Sequence, residues 1–337
     1  MWLAAEPVEL AEWDRSGGAL DVATESILIV SAPPASAANH QEVPAVAEHG
    51  TVADYWTLTK PEVNFLIAVA TLAGFYLGRP AQLDHFPWLR LVHTLLGTLL
   101  VASGTGTLNQ YIERHFDAQM RRTAHRPLAA GRLTPSAVLW FGITLSSLGS
   151  IYLAIAVNTL ASVLAIATLV SYLFFYTPLK RKTPLCTLVG ALPGAMPPLI
   201  GWAAASGRLS VAAWTLCAVL FLWQFPHFMA IAWMYREDYA RAGYLVLPRG
   251  ESRGSFVICL TLLPLVVLTP VLLTPSLLGH AGRAYEAGAF LLGSGFLYFG
   301  TQLALRKSNS DARRLLLASI VYLPLVFVLL CTARNTR

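Results

Sequence analysis

Long apolar runs dominate this chain, separated by short polar connections. Nine of them, at 63–77, 88–108, 137–156, 159–177, 184–205, 211–235, 256–273, 284–305 and 315–331, approach or reach the length a helix needs to cross a bilayer. Such runs are apolar all round, whereas helices of a soluble domain present one apolar stripe and one polar face. The pattern predicts an all-α polytopic membrane protein of nine transmembrane helices, and 55% hydrophobic against 12% charged residues agrees with it.

The first 54 residues break the pattern. They are rich in Ala, Glu, Pro and Ser, and hold nine of the 18 acidic residues against a single base, Arg15. The apolar stretch 26–30 is too short to span and lacks a basic lead-in, so no signal peptide is expected. The composition predicts a mostly disordered acidic extension at 1–54, followed by a membrane domain at 55–337. Cys186, Cys217, Cys259 and Cys331 are scattered through or beside the apolar runs without ligand spacing, so neither disulfides nor structural zinc are expected.

Charge orients the bundle. The even-numbered connections hold sixteen Lys and Arg and the odd-numbered ones four. By the positive-inside rule the even connections and the N-terminus are cytoplasmic and the C-terminus is outside. With an acidic rather than Arg-rich N-terminus, the expected location is a bacterial plasma membrane. The net charge of +6 combines −8 in the extension with +14 in the membrane domain. That basic face suits anionic membrane lipids or a phosphorylated substrate, and nothing in the chain calls for nucleic acid.

Two acidic clusters carry the candidate chemistry. Asn109, Glu113 and Asp117 recur every four residues and so share one helix face, and YREDY at 235–239 supplies Glu237 and Asp238. Asp117 and Asp238 lie 121 residues apart, each just after an even-numbered span, which predicts two four-helix-like repeats plus one helix. Facing carboxylates at a membrane edge are costly unless they bind something. Hard oxygen donors of this kind suit Mg²⁺ bridged to a diphosphate, with Arg121, Arg122, Arg126, Lys180, Arg181 and Lys182 nearby to neutralise phosphate.

Other residues fit a site inside the bundle. His227 lies in WQFPHF, where Pro226 can bend the helix, and an imidazole there suits an iron ligand or a proton relay, with His115 and His125 as alternatives nearer the surface. Tyr172, Tyr176 and Trp223 offer aromatic faces to a cation, and Gly190, Pro193, Gly194, Pro197 and Pro198 suit a cavity wall in the fifth span. A secondary transporter is a rival reading of repeated halves and proline-broken helices, but transport sites usually lie near the midplane, whereas both clusters sit at helix ends.

Six segments, LTKPEVNF (58–65), NQYIERHFDAQMRRTAHRPLAAGRL (109–133), YTPLKRKTP (176–184), GALPGAMPPLIGW (190–202), WQFPHFMAIAW (223–233) and YREDYARAGYLVLP (235–248), resemble the intramembrane prenyltransferase superfamily, and within it the branch that farnesylates haem. The resemblance covers residues 55 to about 335. It implies nine helices around a central cavity and Mg²⁺ held by Asn109, Glu113, Asp117 and Asp238. It further implies that Arg122 and Lys180, with Arg126, contact the diphosphate. Farnesyl diphosphate and haem B are the implied substrates and haem O the product, with haem A synthase or terminal oxidase assembly proteins as implied partners. Gln110, Glu113 and Ala242 stand where the superfamily often has aspartates, and Glu62 where it often has a base, so no diphosphate contact is assigned to LTKPEVNF. The alternative acceptors within the superfamily are a quinone precursor, a chlorophyllide or a lipid alcohol.

Overall fold

The structure, a computed structural model, describes residues 51–80, 85–277 and 281–335. Most of the acidic extension lies outside these residues. Residues 51–54, grouped with the extension on composition, instead begin a short helix, α1 (Val52–Leu58). Thr51 and Asp54 form a reciprocal capping box there, and Arg132 anchors Asp54 at 2.9 Å, so local hydrogen bonding orders what composition alone leaves disordered. Burial acts to raise the Asp54 carboxyl, but the hydrogen bonds from Arg132 and Thr51 outweigh it and hold the group below the usual carboxylate range.

All nine predicted spans are helical, and no strand occurs among the described residues. The first four are α2 (Pro61–Gly78), α3 (Trp88–Asp117), α4 (Pro135–Ala156) and a fourth span that runs from α5 (Thr159–Val170) through a π-helical turn (Ser171–Tyr176) into α6 (Thr177–Leu179). The fifth is broken into α7 (Cys186–Gly194) and α8 (Pro197–Ser206), because Pro197 and Pro198 carry no N–H to continue the ladder. The sixth is α9 (Val211–Met234), followed by the short α10 (Arg236–Arg241). Then come α11 (Ser252–Leu277), α12 (Arg283–Arg306) and α13 (Asn309–Asn335).

The fifth and sixth spans are the most buried, at 67% and 56% of their apolar windows, which makes them the inner helices. The outer helices show lipid-type faces, with Leu89, Ile155, Phe174, Leu291 and Leu305 exposed. Helices α2 and α8 pack backbone to backbone. A Cβ on Gly74 would collide with the Pro198 carbonyl, and one on Gly201 with the Thr71 carbonyl, so only glycine allows this approach.

The largest departure from the apolar pattern is in α3. Its apolar run ends near residue 108, yet the helix continues to Asp117 and reaches 30 residues. At 1.5 Å per residue it is about 45 Å long, well beyond the hydrocarbon thickness of about 30 Å. The motif NQYIERHFD is therefore the last turns of a rigid helix, and its polar side chains find partners on four other segments.

Candidate active site

Each acidic residue of the motif is buried and each is met by a base. Asn109, Glu113 and Asp117 are 1%, 6% and 2% exposed, and Asp238 on α10 is 9% exposed. Carboxylates at that depth are stable only when paired. Lys180 Nζ, just past α6, lies 2.8 Å from Glu113 Oε1. Arg126 Nη1, in the α3–α4 connection, lies 2.6 Å from Asp117 Oδ2. Asp238 Oδ1 accepts from Arg241 Nη1 at 2.9 Å, and its Oδ2 accepts from the backbone N–H of Arg122 at 3.3 Å, which ties the second cluster to the loop that follows the first.

Local geometry aims Asn109. The Thr177 hydroxyl donates to the Tyr172 carbonyl at 2.9 Å, so toward Asn109 it acts as acceptor, and the Asn109 amide donates to it at 3.2 Å. That leaves Asn109 Oδ1 facing the site, where Lys60 Nζ donates to it at 3.3 Å. Lys60 precedes Pro61 with a left-handed backbone (φ 53°), a conformation a lysine adopts at a cost of about 1–3 kcal/mol. Gln110 secures the approach by donating to the Leu58 carbonyl at 2.9 Å.

The cations differ in how they are held. Lys60 has no carboxylate within ion-pair distance among the described residues, and burial, then the neighbouring Arg126 and Lys180 charges, bring its ammonium down to about 7. Burial also opposes the charge on Lys180, but Glu113 outweighs it and holds that ammonium well above the ordinary lysine range. The Arg122 guanidinium likewise has no carboxylate partner among the described residues. It lies over the rings of Tyr235 and Tyr239, at 5.0 and 5.8 Å, with Nε buried and unpartnered. Tyr176 and Tyr172, carried by the π-helical turn, place their rings 4.5 and 5.9 Å from Lys180 Nζ. Met120, Ala242 and Tyr244, with Phe116, Tyr239 and Val246, form an apolar cluster joining the two loops, and Leu245 N–H donates to the Lys180 carbonyl at 2.7 Å.

The structure thus brings together Asn109, Glu113, Asp117, Asp238, Arg122, Arg126, Lys180, Tyr172 and Tyr176. Arg121, His115 and His125 are exposed and lie outside this network. Lys60 is the residue that sequence reasoning passed over. The signal was a single Lys before the proline that opens a span, set aside because Glu62 occupies the usual basic position. The carboxylates do not converge as a ready-made cation cage, since no group of three His, Cys, Asp or Glu side chains suited to a metal occurs among the described residues. Their donor chemistry still suits Mg²⁺, with an amide oxygen and three carboxylates, each paired through a contact that a stronger ligand can replace.

His227 stands apart, inside α9. Ser319 Oγ lies 2.6 Å from the Leu316 carbonyl, a separation that requires the hydroxyl proton between them. Toward His227 Nδ1, at 2.7 Å, that oxygen can only accept. The proton is therefore on Nδ1, and Nε2 presents its lone pair with no hydrogen-bond partner among the described residues. Trp223 stacks on the ring at 4.8 Å and donates to the Ser319 carbonyl at 2.9 Å, which holds the imidazole in place.

The family match and the relatives identify this all-helical membrane bundle, with interleaved acids and bases at one edge, as an intramembrane prenyltransferase. Residues 67–323 match the UbiA prenyltransferase family, and the chain belongs to it. Among its relatives is the protoheme IX farnesyltransferase of Solibacter usitatus, 48% identical over 83% of this chain and 98% of that protein. That of Koribacter versatilis is 42% identical over 87% and 97%. The fold is similar to that of a digeranylgeranylglyceryl phosphate synthase, with a TM-score of 0.68 at 15% identity over 84% of this chain and 98% of that one. A UbiA homologue from Archaeoglobus fulgidus bound to GPP and Mg²⁺ superposes with a TM-score of 0.55 at 13% identity over 82% and 99%.

Proposed function

We propose that the protein transfers the farnesyl group of farnesyl diphosphate, with addition of water, to a vinyl group of haem B, giving haem O. The observation that carries the acceptor is the 48% identity, over nearly the full length of the relative, to a protoheme IX farnesyltransferase. The buried ion pairs support the diphosphate half of the reaction. Asn109, Glu113, Asp117 and Asp238 would hold Mg²⁺, which when bound offsets charge on the departing diphosphate.

The bases act on the same group. Lys180 and Arg126 exchange their carboxylates for phosphate oxygens as the ligand enters, and the Arg122 guanidinium and Lys60 ammonium have no carboxylate to release among the described residues. The bond from C1 to oxygen breaks with its electrons leaving on diphosphate. The terminal vinyl carbon attacks C1, and the carbocation left beside the porphyrin takes a water that loses one proton. Tyr172 and Tyr176 present ring faces at the Lys180 edge of the site, suited to the allylic cation.

On this reading His227 supplies Nε2 to the haem iron. Ligation through Nε2 while Nδ1–H is held by a second partner is the usual arrangement of metal-binding histidines. His227→Ala is expected to shift the Soret band of the haem-loaded protein, and an unchanged band would remove this role. The N-terminus is assigned to the cytoplasmic side of a bacterial plasma membrane on the excess of Lys and Arg in the even-numbered connections.

The acceptor is tested by competition. Purified protein in lipid, with Mg²⁺ and farnesyl diphosphate, is offered haem B together with a quinone precursor and a long-chain lipid alcohol. Farnesylation of haem B alone is expected, and preferential farnesylation of either rival would replace haem as the acceptor.

A further inference from the structure

A second cluster of arginines shares two tyrosines with the candidate active site. Behind Tyr239 and Tyr244, a pocket of about 30 Å³ is lined by Arg236, Arg249 and Arg253, with Leu247 as an apolar wall. The same two tyrosines face the first site, where the Arg122 guanidinium lies 5.8 Å from the Tyr239 ring and Phe116 lies 5.8 Å from that of Tyr244.

At the first site each carboxylate, Glu113, Asp117 and Asp238, meets a base, and Lys60 and Arg122 are in surplus. At the second the arginines likewise outnumber their acids. Arg236 has only Glu237, 3.8 Å away and with its side chain 83% exposed, while Arg249 and Arg253 have no carboxylate within 4.0 Å among the described residues. Two of the three are also held by neutral acceptors. Arg236 Nη1 donates to the Trp233 carbonyl at 2.8 Å and to Asn309 Oδ1 at 2.6 Å, and Arg253 Nε donates to the Pro248 carbonyl at 3.2 Å. Cations fixed by neutral partners around a pocket are poised for an anion that the protein does not supply.

Size and surroundings select the anion. The pocket has room for a small polar head, and its tyrosine and leucine walls suit a group attached to a large apolar body. Resting on the function proposed above, the acceptor is an amphiphile with two carboxylates on one edge, and the bases of the first site are committed to the donor. We propose that Arg249 and Arg253, aided by Arg236, bind one carboxylate of the acceptor and so hold one edge of its ring beside the donor.

The test compares haem B with its dimethyl ester, which keeps the ring and iron and lacks the charges. Both are titrated, without donor, into the wild-type protein and an Arg249→Ala/Arg253→Ala variant in nanodiscs of neutral lipid. Haem B is expected to bind the variant at least about tenfold more weakly, as for loss of charge-assisted hydrogen bonds, while the ester binds both proteins alike. Affinity for farnesyl diphosphate with Mg²⁺ should not change. Equal weakening of haem B and its ester, or no weakening of either, would overturn the assignment. So would loss of the wild-type protein's advantage for haem B in anionic-lipid nanodiscs, where affinity falling to that of the variant would identify a lipid headgroup as the natural occupant. Because binding is read without turnover, failure of the wild-type protein to farnesylate haem would remove the proposed function and leave this comparison intact.

Discussion

Lys180→Met is expected to lower stability by about 3–5 kcal/mol, because it strands the Glu113 carboxylate in a site where that residue is 6% exposed. Thermal unfolding in detergent measures the loss directly. The companion variant Glu113→Gln/Lys180→Met removes both charges and should recover most of that stability, since a neutral pair needs no counterion. It should nevertheless not recover farnesyl transfer, because a proposed metal ligand and a proposed diphosphate contact are both gone. A double variant that regains activity along with stability would reduce the pair to a structural ion pair.

Asp117→Asn separates chemistry from folding in the other direction. Its partner Arg126 has a side chain 21% exposed and can turn toward water, and an amide at position 117 still accepts a hydrogen bond from it. The variant is expected to insert, fold and unfold near the wild-type temperature. Its kcat should fall about a hundred- to a thousandfold, the usual cost of removing one group that stabilises developing charge. Raising Mg²⁺ should not restore the rate if Asp117 is a ligand whose charge is required. A kcat within a few-fold of wild type would remove Asp117 from the proposed metal site.

These contrasts show what was legible in the chain. The nine spans were readable because a bilayer demands long apolar runs, and composition alone reports them. The shared face of Asn109, Glu113 and Asp117 followed from helical spacing. The continuation of α3 to Asp117 was less visible, since apolar patterning stops where partners from other segments take over. So was the order of charges. Two acidic clusters read along the chain suggest carboxylates facing one another, whereas the fold inserts Lys180, Arg126 and Arg241 among them. Buried like charges need those counterions, and they come from residues 3 to 67 positions away. Lys60 illustrates the same limit, because its place depends on a left-handed backbone before Pro61 and on α1 being anchored by Arg132. Arg121, beside Arg122, shows the converse, in that adjacency within a basic loop does not bring a side chain to the site.

The tyrosines of the fourth span show how irregular backbone serves a site. Tyr172 and Tyr176 lie on the π-helical turn, with ring centroids 5.1 Å apart, and a Cβ on Gly190 would strike the Tyr176 ring. A small residue on α7 thus gives Tyr176 the room to sit beside Lys180. Aromatic residues and a glycine were visible separately, while the contact between them needed the fold.

The central claim, farnesyl transfer to haem B with capture of water, is tested most directly by mass spectrometry of porphyrins extracted after incubating the purified protein with haem B, farnesyl diphosphate and Mg²⁺ in H₂¹⁸O. The account predicts a hydroxyethylfarnesyl haem carrying one ¹⁸O, formed only with Mg²⁺ and lost in Asp117→Asn. Unmodified haem recovered from folded protein that binds farnesyl diphosphate, or a farnesylated haem without the label, would contradict it.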